Sequence, residues 1–520
     1  MDAAPLFLIG FMATGKSTVG PMLAERLGRR FVDLDERIEA ERKKTIPAIF
    51  AAEGEPAFRR YEAEALGHVA AERDVVVGCG GGTPCFFDNL RLMRTAGPVV
   101  ALLASLDEIL LRAGDTSTRP LLAAGRERAE RLYGERQAFY RRADVLIETG
   151  GRSPAEIAEE AARRATLRLG DVRVGLVERG YPIHVGRLAD VAPLAGEHLP
   201  GKIAVVTDEN VARAGHAAAV RAALGDRAFE VVVPAGEASK SLAEVERVAS
   251  ACVAGGLDRR GAIVAVGGGV VGDLAGFVAA ILYRGVAVAQ VPTTLLGMVD
   301  SAIGGKTGVD LPAGKNLAGA FWQPRFVLAD PATLATLPPR ELRSGWGEVV
   351  KYGLLGDRSL FERLESDGPP PPNDPARLGE LVRRCAAIKA AVVSADEREE
   401  TGLRASLNLG HTVGHAIELA SGYGLLHGEA VALGLRAAAR VSSRLGLCDA
   451  GLEGRVAAAL AGCGLVDPLE PWLEPRVLEH VGVDKKRRGA RIGFIALEDV
   501  GRWRAVDLEP AELVRLLAPS

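Results

Sequence analysis

Two separate parallel sheets followed by an all-helical part is the α/β architecture that this sequence predicts, on three observations. A glycine-rich loop, Gly10 to Ser17, lies between a short apolar strand and a helical stretch. A second series of apolar runs, from Ile203 to Val291, ends repeatedly in glycines and hydroxyls. From Ser344 onward the pattern turns helical, and Leu407 to Glu429 holds three of the chain's eight histidines. Strands that alternate with helices and end in glycine turns build parallel sheets whose ligands bind beyond the strands' carboxyl ends.

Composition narrows the class. A chain of 520 residues, 48% hydrophobic and 25% charged, fits two or three globular domains. Its net charge of −3 argues against a nucleic-acid partner or an anionic membrane surface. Residues 1–170 carry 25 basic and 25 acidic side chains, so the total hides no charged half. The longest apolar stretch, Gly261 to Tyr283, is interrupted by Asp273 and glycines, unlike a membrane span. The N-terminal MDAAPLFLIG enters a strand without a signal-peptide pattern. Six scattered cysteines with no CxxC pair fit a reducing compartment, so the expectation is a cytoplasmic protein. Arginines number 53 and lysines 11, so a lysine hints at a position that wants a compact ammonium.

In the first unit, the strand Pro5 to Ile9 runs into Gly10-Phe-Met-Ala13-Thr14-Gly15-Lys16-Ser17-Thr18 and then a helix. This GxxxxGKS arrangement lets backbone N–H groups curl round phosphates at a helix N-terminus. Lys16 is expected on the outer phosphates and Ser17 on Mg²⁺, so the cofactor is ATP with Mg²⁺. Phe31-Val-Asp33-Leu-Asp35 places two carboxylates at a strand's end. Arg59 and Arg60 open a helix with guanidiniums suited to a carboxylate. Val75 to Val77 ends in Gly78-Cys-Gly-Gly81-Gly82, where backbone approaches a ligand. Thr116 to Leu122 is a polar loop with Arg119 placed like a lid arginine, and Arg136 adds a second basic point.

The stretches GFMATGKST, FVDLD, FRR, GCGGGTP, TRPLL and RQAFYRRAD follow the order and spacing of shikimate kinases, and residues 1–168 resemble that family. The resemblance implies a P-loop kinase fold, with Asp33 near the Mg²⁺ shell and Asp35, Arg59, Gly81 and Arg136 on shikimate. It also implies Arg119 on ATP and Arg152 near adenine. Adenylate and gluconate kinases are the nearest competitors, and the Asp35, Arg59 and Arg136 set favours shikimate.

The chain passes without a long Gly/Ser linker into a second unit. Ile203 to Asp208 reads as a buried parallel strand, and Phe229 to Val233 as another. Ala262 to Val266 opens into Gly267-Gly268-Gly269-Val-Val-Gly272-Asp273 and an apolar helix, the pattern of a dinucleotide site at a sheet edge. Val288 to Val291 delivers Thr293 and Thr294. Lys306 and Lys315 are bounded by glycines outside any GKS context and suit a substrate phosphate and carboxylate. Glu348 and Lys351 share a helix face three residues apart, and His411 and His415 share one four apart. Spacing alone would make ligands of His411 and His415, with a carboxylate near His427 and Glu429 completing an open zinc site.

VDSAIGGKTGVD, GKN, WGEVVKYG, DEREETGLRASLNLGHTVGHAIE and LHGEAV together resemble 3-dehydroquinate synthases over residues 172–520. The resemblance implies a Rossmann-type domain at 172–335 and a helical metal and substrate domain at 336–520. It implies Zn²⁺ or Co²⁺ on Glu348, His411 and His427, which replaces the spacing reading. His415 and Glu400 then move protons, with Glu399 competing for Glu400's role. Arg284, Asp300, Lys306, Asn316, Lys351, Lys389, Arg404, Asn408 and one of Lys485 or Lys486 match substrate contacts, Lys351 and Arg404 being counted as catalytic too. Asp208, Asn210, Glu237, Lys240, Gly268, Gly269, Asp273, Thr293, Thr294, Lys315, Thr333 and Thr336 match the NAD⁺ site. Ser344 stands where some members place an Asn.

The resemblances together imply a bifunctional enzyme acting on shikimate and on the seven-carbon sugar acid phosphate DAHP. Dimers are common in the second family, so a homodimer through that unit is expected. The alternatives are another sugar phosphate cyclase or an iron-type polyol dehydrogenase in the second unit. From outside enzymes, a degenerate nucleotide-sensing scaffold would lack Lys16, Asp35, Glu348 or His427, and all are present.

Overall fold

The computed structural model describes residues 4–113, 126–166, 172–176, 179–474, 477 and 491–518. It divides into two compact units, Met1–His184 and Val185–Ser520.

The first unit is organised on a parallel sheet whose strands lie in the order Arg30–Asp33, Val75–Gly78, Leu6–Gly10, Val99–Leu103, Val145–Glu148. Leu6–Gly10, Val75–Gly78 and Val99–Leu103 are buried throughout, because helices cover both faces. That explains their unbroken apolar runs, where a half-exposed strand would alternate. The central strand feeds the loop that opens the Lys16–Arg26 helix, so the phosphate-loop residues stand at the middle of the sheet's carboxyl edge. A short antiparallel pair, Val172–Val174 with Tyr181–Val185, runs up to the boundary between the units.

In the second unit parallel strands lie in the order Val327–Ala329, Ala287–Pro292, Ala262–Gly267, Ile203–Asp208, Ala228–Val233. The strand order reverses between Ile203–Asp208 and Ala262–Gly267. A crevice for a ligand forms at such a switch point, and Asp208 and Gly268 flank this one. An antiparallel hairpin, Lys306–Leu311 with Gly314–Phe321, follows.

The remainder is helical and has its own core. The Pro339–Gly356 helix is buried continuously from Ser344 to Leu355, so it runs through the middle of that core. Its buried polar members, Glu348 and Lys351, point inward. The Pro375–Ala395, His411–Ala420 and His427–Arg444 helices pack around it. A hairpin, Ile492–Asp499 with Arg502–Leu508, adds Phe494 and Leu497 to the same core.

Candidate functional sites

The loop of the first unit takes its shape from backbone that only particular residues adopt easily. Gly10 has φ 147° and Gly15 φ 100°, while Ala13 sits at φ 61°. A Cβ on Gly10 would lie 2.5 Å from the carbonyl oxygen of Leu102. The Thr14 hydroxyl donates to Phe11 O at 2.8 Å, which pins the turn. Lys16 Nζ donates to Gly10 O at 2.7 Å and Phe11 O at 2.9 Å. Burial pulls the Lys16 ammonium down to about 8, against the opposing pull of Asp35. Ser17 and Thr18 begin the helix beside it.

Asp33 Oδ1 accepts the N–H groups of Asp35 at 2.9 Å and Glu36 at 3.4 Å, capping the helix that follows. Asp35 Oδ1 is buried and accepts no hydrogen bond among the described residues. Burial, then Asp33 and Glu62, push the Asp35 carboxyl up to about 6. Arg59 donates through Nη1 to Glu62 Oε2 at 2.9 Å and lies over the Phe86 ring at 4.2 Å. Glu62 is fully buried and also accepts the Thr83 hydroxyl at 2.6 Å.

The glycines between these groups leave them room. A Cβ on Gly80 would lie 3.0 Å from both Asp35 Oδ1 and Glu62 Oε1, and one on Gly82 2.6 Å from Arg59 Nη1. One on Gly81 would lie 3.4 Å from Arg136 Nη1. Asp35, Arg59 and Arg136, far apart in sequence, thus gather around Gly80, Gly81 and Gly82. Glu62 escaped the sequence reading, although it stands three residues after Arg59 on the same helix face. Arg152, just ahead of the Pro154–Thr166 helix, is held by Glu148 O at 3.2 Å and by Glu160 of that helix at 2.6 Å. Arg119 lies outside the described residues.

In the second unit, Asp208 Oδ1 caps the next helix through the N–H groups of Asn210 at 2.8 Å and Val211 at 3.0 Å. Lys240 Nζ donates to Asp273 Oδ2 at 2.9 Å and Asn316 Oδ1 at 2.5 Å, with Glu237 at 3.6 Å. Burial pushes Asp273 up to about 6 despite Lys240. A Cβ on Gly268 would meet Thr294 at 3.0 Å, and one on Gly269 would meet Ser301 at 3.2 Å. Thr293 N–H donates to Gly267 O at 3.0 Å. These groups surround the switch point. Thr333 and Thr336 belong to one 3₁₀ turn, in which the Thr336 hydroxyl donates to Thr333 O at 2.8 Å.

Beyond that edge lies a buried ionic cluster. Asp300 meets Lys389 Nζ at 2.9 Å and Lys351 Nζ at 3.7 Å, and accepts the Tyr352 hydroxyl. Burial works against its charge, but Lys389 and Lys351 hold its carboxyl well below the usual range. Lys351 also pairs with Glu348. Burial lowers Lys389. On the rim, Lys306 pairs with Glu399, which is 3.8 Å from Arg404 Nε. Arg404 Nη2 donates to Gly304 O at 3.1 Å. Glu400 enters only through its N–H, donated to Asp396 Oδ1 at 2.8 Å. Asp396, which the sequence reading passed over, is 3% exposed and also accepts the N–H groups of Thr401 and Arg404. Arg284, at φ 70°, and Asn408 are exposed. Lys485 and Lys486 lie outside the described residues.

Glu348 is fully buried, and among the described residues no hydrogen bond of standard geometry reaches either oxygen. Its Oε1 faces His411 Nε2 at 3.3 Å and His427 Nε2 at 3.4 Å. One ligating atom from each of the three lies within 4.8 Å of the others. A sealed carboxylate opposite two imidazole nitrogens is a donor set for a divalent cation. Both imidazoles have their other nitrogen occupied: His411 Nδ1 lies 3.1 Å from Leu409 O, and His427 Nδ1 lies 3.3 Å from Glu418 Oε2. Burial works to lower His427, yet the Glu348 and Glu418 carboxylates beside it raise it to about 9. His415 stands beside the set, its ring 5.2 Å from that of His411. Burial, then the two neighbouring imidazoles, pull it down to about 4, so it is neutral at neutral pH. His411 and His415 do not form a ligand pair: the second potential metal group is His415, Glu418 and His427. Glu429 instead binds Arg340 at 2.7 Å.

Helix contacts at glycine bring these donors together. A Cβ on Gly347 would lie 2.2 Å from Gly428 O, and one on Gly428 would lie 1.8 Å from Ser344 O. On the other flank a Cβ on Gly434 would lie 1.9 Å from Gly410 O. The helix carrying His427 therefore touches those carrying Glu348 and His411 backbone to backbone. The signal was present in the sequence as glycines next to Glu348 and His427.

Comparison with known proteins bears on both units. The shikimate kinase family model matches residues 12–166. The models for the N-terminal and C-terminal parts of 3-dehydroquinate synthase match residues 230–344 and 345–487. A 3-dehydroquinate synthase of Paracoccus denitrificans is 45% identical over 366 residues, covering 67% of this chain and 98% of that protein. A solved 2-deoxy-scyllo-inosose synthase, complexed with carbaglucose-6-phosphate, NAD⁺ and Co²⁺, is 29% identical with a TM-score of 0.60, covering 67% of this chain and 99% of its own. A 2-epi-5-epi-valiolone synthase from Streptomyces hygroscopicus, with NAD⁺ and Zn²⁺ bound, is also 29% identical with a TM-score of 0.59, covering 65% of this chain and 95% of its own.

Proposed function

Because the chain belongs to the shikimate kinase family through residues 12–166 and to the 3-dehydroquinate synthase family through residues 230–487, we propose that it is a bifunctional enzyme of the shikimate pathway. Residues 1–168 phosphorylate shikimate with MgATP. Residues 172–335 and 336–520 convert DAHP to 3-dehydroquinate and phosphate with NAD⁺ and a divalent metal. The observation that carries the second activity is the convergence of Glu348, His411 and His427 on one point beside the Lys351–Asp300–Lys389 cluster.

In the kinase pocket, Arg59 and Arg136 hold the substrate carboxylate, and Glu62 fixes the Arg59 guanidinium in place. Asp35, with an oxygen free of other partners, accepts the reacting hydroxyl and orients it toward the phosphate loop. Lys16 leaves its carbonyl partners to meet phosphoryl oxygens, with Ser17 and Asp33 toward Mg²⁺.

In the synthase site, Glu348, His411 and His427 would hold the metal, and the groups around the switch point would hold NAD⁺. When bound, the metal supplies Lewis acidity to a substrate hydroxyl and NAD⁺ a reversible hydride acceptor. His415, its ring 5.2 Å from that of His411, stands where it would take the proton that such a hydroxyl releases. Lys351 and Lys389 bind the phosphate that departs, and Lys306 and Arg404 hold the rest of the substrate from the rim. Glu399, paired with Lys306 and close to Arg404, is placed at this rim, and Glu400 is held by its backbone to Asp396.

The test is product identification on the purified chain, with DAHP, NAD⁺ and Zn²⁺ in one reaction and shikimate with MgATP in the other. Glu348→Gln should abolish the first reaction and spare the second. Formation of neither product by metal-loaded protein overturns the proposal. Another sugar phosphate cyclase would turn over a different sugar phosphate, and a polyol dehydrogenase would accumulate NADH absorbance.

A further inference from the structure

We propose that Glu418 is a positioning residue that orients the ligand His427 and, through the shared Lys315, couples metal binding to occupancy of the dinucleotide side. The inference rests on the metal and NAD⁺ assignment above.

Glu418 lies at the end of the His411–Ala420 helix and is 9% exposed. Its two oxygens have different partners. Oε2 is 3.3 Å from His427 Nδ1, and Oε1 accepts from Lys315 Nζ at 2.9 Å. With Nδ1–H donated to a carboxylate, the Nε2 lone pair of His427 is left facing Glu348. His411 is oriented by a backbone carbonyl that its own turn fixes. His427 is oriented by a side chain whose position depends on Lys315. That lysine rides on the Gly314–Phe321 strand, 4.0 Å from the Tyr423 ring centroid and 3.9 Å from Glu237. Glu237 follows the Ala228–Val233 strand and stands beside Lys240, on the dinucleotide side.

A continuous run of charged contacts therefore joins Glu237, Lys315, Glu418, His427 and Glu348. A ligand that draws Lys315 toward itself loosens Lys315 from Glu418 and strengthens the carboxylate's hold on His427. By reciprocity, metal on His427 changes dinucleotide affinity by the same factor. Nothing in the sequence spacing exposes this link, because Lys315 and Glu418 lie on different elements.

The experiment titrates full-length, metal-free protein with Co²⁺ against a competing chelator, with and without saturating NAD⁺, and records the cobalt absorption bands. Glu418→Gln should weaken Co²⁺ binding by about 10–100-fold while keeping the wild-type band shape, because all three ligands remain. NAD⁺ should shift the wild-type Co²⁺ affinity by at least about 5-fold, and Lys315→Met should remove that shift. Wild-type affinity in Glu418→Gln overturns the inference. So does a band shape altered as in Glu348→Gln, which would make Glu418 a ligand in the His415–Glu418–His427 group. If Glu418→Gln fails to melt cooperatively, Lys315→Met decides: an NAD⁺-dependent shift that persists in it overturns the coupling. A wild-type chain that takes up no cobalt sinks the functional reading first, and this inference with it.

Discussion

Gly428→Ala tests whether backbone contact between helices sets the metal geometry. The added Cβ would stand 1.8 Å from Ser344 O and 2.6 Å from Ser344 C. Non-bonded heavy atoms keep roughly 3.5 Å, so the His427–Arg444 helix must back away from Pro339–Gly356 by about 1.5 Å. Neither partner atom is a flexible side-chain end, so no rotamer change absorbs the shift. His427 is the residue before Gly428 and moves with it, whereas Glu348 stays with the core of its own helix. Nitrogen and oxygen now 3.4 Å apart would separate well beyond the ~0.2 Å tolerance of a metal site. Overpacking costs about 1–3 kcal/mol of stability. A misplacement of about 1 Å is enough to cost ~100-fold in the cyclisation rate. The assays are chelator competition for zinc, thermal melting and phosphate release, with shikimate phosphorylation by the separate Met1–His184 unit as the internal control. A folded Gly428→Ala protein that binds zinc and releases phosphate like the wild type refutes the reasoning.

The other expectations are more local. Lys16→Met should cut shikimate phosphorylation by at least ~100-fold and leave phosphate release from DAHP unchanged; parallel loss of both activities would contradict independent sites. Asp396→Asn should cost about 1–3 kcal/mol in denaturant unfolding, because its amide replaces the oxygen that accepts Arg404 N–H at 3.0 Å; coincident midpoints would refute this. Asp273 sits at about 6 in the fold against 3.8 for an ordinary aspartate, so the native state binds its proton more tightly. Its contribution to stability therefore rises as pH falls from neutral through about 6, by at most about 3 kcal/mol. The melting temperature of the wild type minus that of Asp273→Asn should increase over that range, and a difference flat in pH would refute the assignment.

Legibility differed between the two units. The phosphate loop was readable because Gly10, Gly15, Lys16 and Ser17 are contiguous and their backbone angles are a local requirement. Asp35, Arg59 and Arg136 were named from motif order, yet Glu62, which holds Arg59, was not. A solvated acid on a helix face would look the same in sequence as this buried one. In the metal region, spacing favoured His411 with His415 and marked Glu348 and Lys351 as a carboxylate and a cation on one helix face; the family resemblance joined Glu348 to His411 and His427. The rim carboxylates show the limit of register: Glu399 and Glu400 are adjacent, and a left-handed residue at Glu399, φ 63°, decides which one faces Lys306.

Taken by itself, the sequence determined the two parallel sheets, the glycine turns at their carboxyl edges and the chemical types gathered in each unit. Those depend on residue period and on backbone angles over a few positions. Only the tertiary structure decided which carboxylate stands between His411 and His427, that Glu418 links His427 to Lys315, and that Asp396 ties down the Glu400 loop. The first of these is fixed by how closely Gly347, Gly428, Gly410 and Gly434 let helices approach. A distance between helices is a property of packed surfaces, and no stretch of chain carries it alone.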